Sequence, residues 1–227
     1  MKKFIILVML LCTCVIFIDA CSPKTLALVQ ENIAEVHYNI YAGASDEVSC
    51  TYSAGKREID YNLNGYATEL IDFGLITFVV NNPNVVADAP SFELNYGKVK
   101  TEGVLEQNPY DGSYVADIKQ IITTPTEMIA TIKLGSYVKN ITLYAISPAW
   151  KITYNDALQI ATKHTNKTLK TLVSNNEFLG ETHIKILTDT SGNGLDTYYW
   201  FVSFLGRQGT KIAVLIDTMT GAVLAIK

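Results

Sequence analysis

The chain has 227 residues, 48% of them hydrophobic, with 18 Lys and Arg against 22 Asp and Glu and a formal net charge of −4. That mild acidity, with no basic cluster in the sequence, argues against nucleic acid as a partner and against electrostatic adhesion to anionic lipid. Of the four cysteines only two lie beyond residue 20, too few for a disulfide scaffold, so the fold has to rest on an apolar core.

The first element in chain order is an export signal. Met1-Lys2-Lys3 is a short basic start, and residues 4–18 form an apolar run interrupted only by Cys12, Thr13 and Cys14. About 15 residues is short for a membrane span, which needs roughly 20, and suits the apolar region of a cleavable signal peptide. Residues 1–20 are read as that signal, with Ala20 as the small residue at the cleavage point. Ile18-Asp19-Ala20-Cys21 resembles a bacterial lipobox, departing from it at Asp19, where a small or aliphatic residue is usual. The resemblance implies a diacylglycerol anchor on Cys21 and a lipoprotein held at the outer face of the cell membrane; without the lipid the chain is expected to be secreted. Cleavage removes Cys12 and Cys14 and leaves Cys21 and Cys50. With Cys21 lipidated, Cys50 is single and reads as a small core residue. With Cys21 free, an oxidising exterior permits a Cys21–Cys50 disulfide.

Residues 21–147 carry mainly strand signals. A helix of a few turns is expected over residues 24–35. Val36-His37-Tyr38-Asn39-Ile40-Tyr41 clusters strand formers, and Glu58-Ile59-Asp60-Tyr61-Asn62-Leu63 alternates before Asn64-Gly65, a short hairpin signal. Residues 70–80 read as a buried central strand ended by Asn81-Asn82-Pro83-Asn84. Asp111-Gly112 marks a turn, and Gly135-Ser136 separates strands at 129–134 and 140–146. Seven or eight short strands spaced by turns predict a β-sandwich of immunoglobulin-like architecture.

The pattern changes at Ser147-Pro148. Thr153 and Asp156 have the spacing of a capping box, and Ala157, Leu158, Ala161, Leu169 and Leu172 supply an apolar helical stripe. Strands return near 183–187, 198–205, 211–216 and 222–226. Residues 148–227 thus predict an α+β unit, one helix followed by an antiparallel meander. Ile152-Thr153-x-x-Asp156-Ala157-Leu158-x-Ile160-Ala161, then Tyr199-Trp200-Phe201-Val202-Ser203-Phe204, then Val214-Leu215-Ile216-Asp217-x-x-Thr220-Gly221-x-Val223-Leu224 resemble a PepSY domain. Such domains occur in peptidase propeptides, so the resemblance implies restraint or modulation of a secreted peptidase. No peptidase domain follows in this sequence, so the target would be a separate chain or another envelope component.

Catalytic and metal patterns are sparse. Asp189-Thr190-Ser191-Gly192-Asn193-Gly194 fits the first half of a calcium loop, but its twelfth position is Trp200 rather than a carboxylate, which favours a polar hairpin turn. His37, His164 and His183 are scattered, with no zinc-type spacing and no nearby carboxylate pair. G-x-S-x-G is absent, and Cys50 lacks a catalytic histidine context. Asp217, Thr220 and Gly221 read as a turn. The sequons at Asn140 and Asn166 read as chance. Tyr38, Tyr41, Tyr52, Tyr61, Tyr96, Tyr110 and Tyr114 crowd the first unit, either as a binding face or as ordinary strand residues. The sequence therefore predicts a non-enzymatic binding protein with no cofactor and no metal. The alternative is a small-molecule or polysaccharide binder that uses the tyrosine-bearing sandwich.

Overall fold

The computed structural model describes residues 23–59, 62–81, 88–119, 126–189 and 197–227. The signal segment, Cys21, Asp60, Tyr61 and residues 190–194 of the calcium-like string lie outside the described residues.

Helix α1 (Pro23–Glu31) ends where the Asn32 side-chain amide donates to the Leu28 carbonyl at 2.8 Å. The helix expected to reach residue 35 stops four residues earlier because β1 (Ile33–Ala44) begins there, its first residues engaged in a parallel ladder. Eight further strands follow: β2 (Val48–Glu58), β3 (Leu70–Val80), β4 (Ser91–Tyr96), β5 (Val99–Val104), β6 (Glu106–Gln107), β7 (Tyr114–Ile118), β8 (Glu127–Leu134) and β9 (Tyr137–Ala145). Their spatial order is β6-β7-β3-β2-β1-β9-β8-β4-β5, a single curled ladder that approaches a barrel. A sandwich keeps two sheets apart. Here β1 joins them, pairing with β2 along one edge and with β9 at Tyr41 and Ala42 on the other. Inward residues of this ladder form the first core, which includes Ile76, Phe78, Leu94, Met128, Ile132 and Leu143. Tyr52 is fully buried there, and a Cβ on the facing Gly74 would lie 2.6 Å from its ring, so the pair works only with glycine.

The hairpin turns read from the sequence are present at Gly112 and Gly135, both with positive φ. Among the described residues the strand expected over 58–63 does not form: β2 ends at Glu58, and Ile59, Asn62 and Leu63 belong to no strand. Glu58 is 1% exposed, and its carboxylate accepts the Asn62 and Thr68 backbone N–H groups at 3.3 and 3.2 Å and the Thr68 hydroxyl at 3.1 Å. Gly65, at φ +80°, packs on the backbone of Arg207, whose guanidinium lies 4.2 Å from the centre of the Tyr66 ring. A buried carboxylate and a cation–π contact thus replace the tight two-residue turn.

The second unit opens with α2 (Tyr154–Leu169). Its capping box is formed: the Asp156 N–H donates to Thr153 Oγ1 at 3.2 Å, and the Thr153 N–H donates to the Asp156 carboxylate at 2.9 Å. A small hairpin, β10 (Val173–Ser174) and β11 (Glu177–Phe178), leads into β12 (Gly180–Asp189), β13 (Thr197–Gly206), β14 (Lys211–Asp217) and β15 (Val223–Ile226), an antiparallel meander in that order. Helix α2 covers one face of it over Trp200, Val202, Phe204, Val214 and Ile216. Buried Trp200 donates its indole N–H to the Ile152 carbonyl at 2.8 Å and meets Trp150 edge-on at 5.5 Å, which satisfies its polar atom in an apolar setting.

This second core also takes Leu28, Val29 and Val36 from the first 14 described residues. The Thr182 hydroxyl donates to the Val29 carbonyl at 2.9 Å, and β1 pairs in parallel with β12. The chain contributes α1 and half of β1 to one core, builds the near-barrel, and returns with α2 to finish the core it began.

Candidate functional site

Strand alternation decides what lies at the β1–β12 junction. Val36 and Ile184 face α2. Their neighbours Glu35, His37, Glu181, His183 and Lys185 therefore project from the opposite face, with Glu35 beside His183 in the ladder. His37 Nε2 lies 2.8 Å from Glu35 Oε1, and His183 Nε2 lies 3.0 Å from Glu181 Oε1. His183 Nδ1 is 3.7 Å and the Lys185 ammonium 2.6 Å from Glu35 Oε2. Glu35 and His37 are 6% exposed, His183 2% and Glu181 0%.

Burial pushes the Glu35 carboxyl toward its neutral form, but the side chains of His183 and His37 and the Lys185 ammonium outweigh it and hold the group well below the usual carboxylate range. Glu35 is thus ionised at neutral pH, and His37 carries its proton on Nε2, the nitrogen that donates to it. Across the β1–β2 ladder, Arg57 stands beside Glu35, pairs with Asp117 and lies over the Phe73 ring at 4.8 Å. Phe73 meets the His37 ring edge-on at 5.2 Å. Chemically this is a charge cluster tied across three strands, in which each imidazole is engaged by the carboxylate two residues before it on its own strand. Among the described residues no group of three His, Cys, Asp or Glu side chains is placed to hold a metal ion.

Among the described residues, the clefts open to the surface include three near the cluster or the sheet edges. One of 420 Å³ lies on the same face as the cluster, lined by His183, Lys185, Phe201, Leu205, Lys211 and Lys227 among others. A second of 220 Å³ runs from His37 past Cys50 and Leu75 to Ile186. A third of 480 Å³ separates β5 from β7, where the near-barrel fails to close.

Of the residues singled out from sequence, Cys50 is buried in the first core with a free thiol, and burial pushes that thiol well up, as suits an inert packing residue. Asp217 makes the expected turn: its Oδ1 accepts the Met219 and Thr220 N–H groups at 3.0 and 2.7 Å, and Gly221 has φ +73°. His164 is exposed on α2, away from the other two histidines. Tyr41, Tyr52 and Tyr114 are buried, Tyr38 and Tyr96 half-buried, and Tyr110 is 96% exposed. None of the three clefts has a tyrosine in its lining.

His37 and His183, scattered in the sequence with no nearby carboxylate pair, are brought to one face with one carboxylate each. The available signal was Glu-x-His, present at Glu35-Val36-His37 and again at Glu181-Thr182-His183. On a strand that spacing puts both side chains on one face. Comparison with family models, with curated proteins and with solved structures gives no match to this chain.

Proposed function

We propose that this chain is an exported, membrane-tethered binding protein without catalytic activity, and that its C-terminal unit is PepSY-like and restrains a separate secreted peptidase or binds another envelope protein. The helix followed by a four-stranded antiparallel meander agrees with what that likeness implies. The observation that carries a protein partner is β15. It is the outermost strand of the meander, its sequence Val-Leu-Ala-Ile has no charge, and Leu224 and Ile226 are each 51% exposed. Natural edge strands are usually blunted by charge, proline or bulges; β15 has an irregularity at Leu224 but neither charge nor proline, and its exposed apolar side chains fit pairing with a partner strand. Tethering rests on the lipobox-like Ile18-Asp19-Ala20-Cys21.

The test adds the purified chain to the secreted peptidases of the producing cell and measures their activity and capture. Inhibition that is lost in Leu224→Lys/Ile226→Lys supports the reading; no change in any peptidase activity, with none captured, overturns it. Intact mass of the membrane-extracted protein reads the tether separately, since Cys21 must carry the mass of the lipid.

A further inference from the structure

On the face of the meander opposite α2, side chains stand in cross-strand rows. The central row runs Glu35, His183, Ser203, Ala213 across β1, β12, β13 and β14. The rows on either side are Lys185-Phe201-Leu215 and Glu181-Leu205-Lys211. Ser203 and Ala213 are short, and Phe201 and Leu205 beside them are long, so the central row sinks into a trough. That trough is the 420 Å³ cleft, bordered by Leu63 of the β2–β3 connection and by Lys227, whose backbone pairs with Ala213.

The lining is apolar in its walls, and its charged side chains, Lys185, Lys211 and Lys227, are all basic, with no acidic side chain among them. The one anionic group at the rim, the main-chain carboxylate of Lys227, is already engaged by the Ala213 N–H at 3.0 Å. Lys185 is committed to Glu35, whereas Lys211 and Lys227 have no ion pair among the described residues. A cleft of this size lies at the small end of the roughly 300–1,000 Å³ range of small-molecule sites, with the usual pattern of apolar walls and few polar groups. Behind His183 stands the Glu35 carboxylate, whose field opposes negative charge in the trough and opposes a dianion about twice as strongly as a monoanion.

We propose that this cleft binds a small amphipathic monoanion, a carboxylate on an aliphatic body, with the carboxylate at Lys211 and Lys227 and the body lying over Ser203 and Ala213 between Phe201, Leu205 and Leu63. The site adjoins the end of β15 at Lys227 but opens on the face of the sheet, and it does not depend on the protein-partner reading.

Titration calorimetry of the full chain tests it with decanoate, decyltrimethylammonium and decyl phosphate, three ligands with one tail and different heads. Decanoate is expected to bind saturably at one site, at least tenfold tighter than the cationic counterpart and tighter than the phosphate. Lys211→Gln/Lys227→Gln, an exposed change that spares the core, is expected to weaken decanoate about tenfold or more. Ala213→Leu is expected to abolish binding by filling the trough, and Ser203→Ala to preserve it. Absence of saturable decanoate binding, equal binding of the cationic ligand, tighter binding of decyl phosphate, or affinity unchanged in the double lysine variant would each overturn the proposal. Thermal melts of every variant show that loss of binding is not loss of fold.

Discussion

The two cores of this chain are built in opposite ways. The first is local: strands β2 to β9 leave and return within one continuous stretch, and all of its buried residues lie between Tyr41 and Leu143. The second is assembled from both flanks of that stretch, with Leu28, Val29 and Val36 on one side and residues from Ala157 to Ile216 on the other. The near-barrel gains stability from strands close in sequence, whereas the helix-backed sheet exists only when the two flanks meet. The charge cluster sits on that seam. Glu35 and His37 come from the first flank and Glu181, His183 and Lys185 from the second, so the cluster reports whether the flanks are joined.

Substitutions that damage one core and not the other test this contrast most sharply. Trp200→Ala removes the largest fully buried side chain of the second core together with its hydrogen bond to Ile152, and is expected to cost about 3–5 kcal/mol. If the cores are coupled through β1, denaturant unfolding of this variant stays a single transition shifted to lower midpoint. Two separated transitions, only one of them shifted, would show the cores to be independent.

Next in size, Glu35→Gln leaves Lys185 and the two histidines facing a neutral amide, and breaking such a buried pair is expected to cost about 3 kcal/mol. The same residue sets a pH dependence. Its folded carboxyl titrates below the usual range, so its contribution is fully present above roughly pH 5 and is lost progressively as pH falls further. The loss of stability between pH 7 and pH 3 is therefore expected to be smaller in Glu35→Gln than in the native chain; equal losses would place the acid sensitivity elsewhere.

The smallest expected effect is at the start of α2. Thr153→Ala removes the capping hydroxyl and is expected to cost about 1 kcal/mol, read as a lower denaturation midpoint with unchanged slope.

What the sequence made legible follows from the range of each signal. The Thr153–Asp156 capping box, the turns at Gly112, Gly135 and Gly221 and the amphipathic face of α2 are all decided within a few residues, and they stand where the sequence placed them. The alternation from Glu58 to Leu63 reads as a strand, whereas Gly65 and Tyr66 just beyond it are held by Arg207, far along the chain. The curled ladder was read as a sandwich because nothing local reveals that β1 pairs with both β2 and β9. The Glu–His cluster was missed for the same reason. Each Glu-x-His is legible on its own strand, but their meeting depends on a parallel pairing between residues about 150 positions apart.

That pairing has a consequence for how the chain is made. During synthesis the near-barrel can close before any of β12 exists, leaving the apolar side of α1, with Leu28 and Val29, uncovered until α2 and the meander arrive. A contact spanning 153 residues, such as that of Thr182 with Val29, forms only after a large loop has been closed, and topologies of that kind fold slowly. The chain carries an exposed apolar flank through most of its biosynthesis, so an early stop before residue 154 yields a near-barrel with an uncovered α1, a species prone to aggregate.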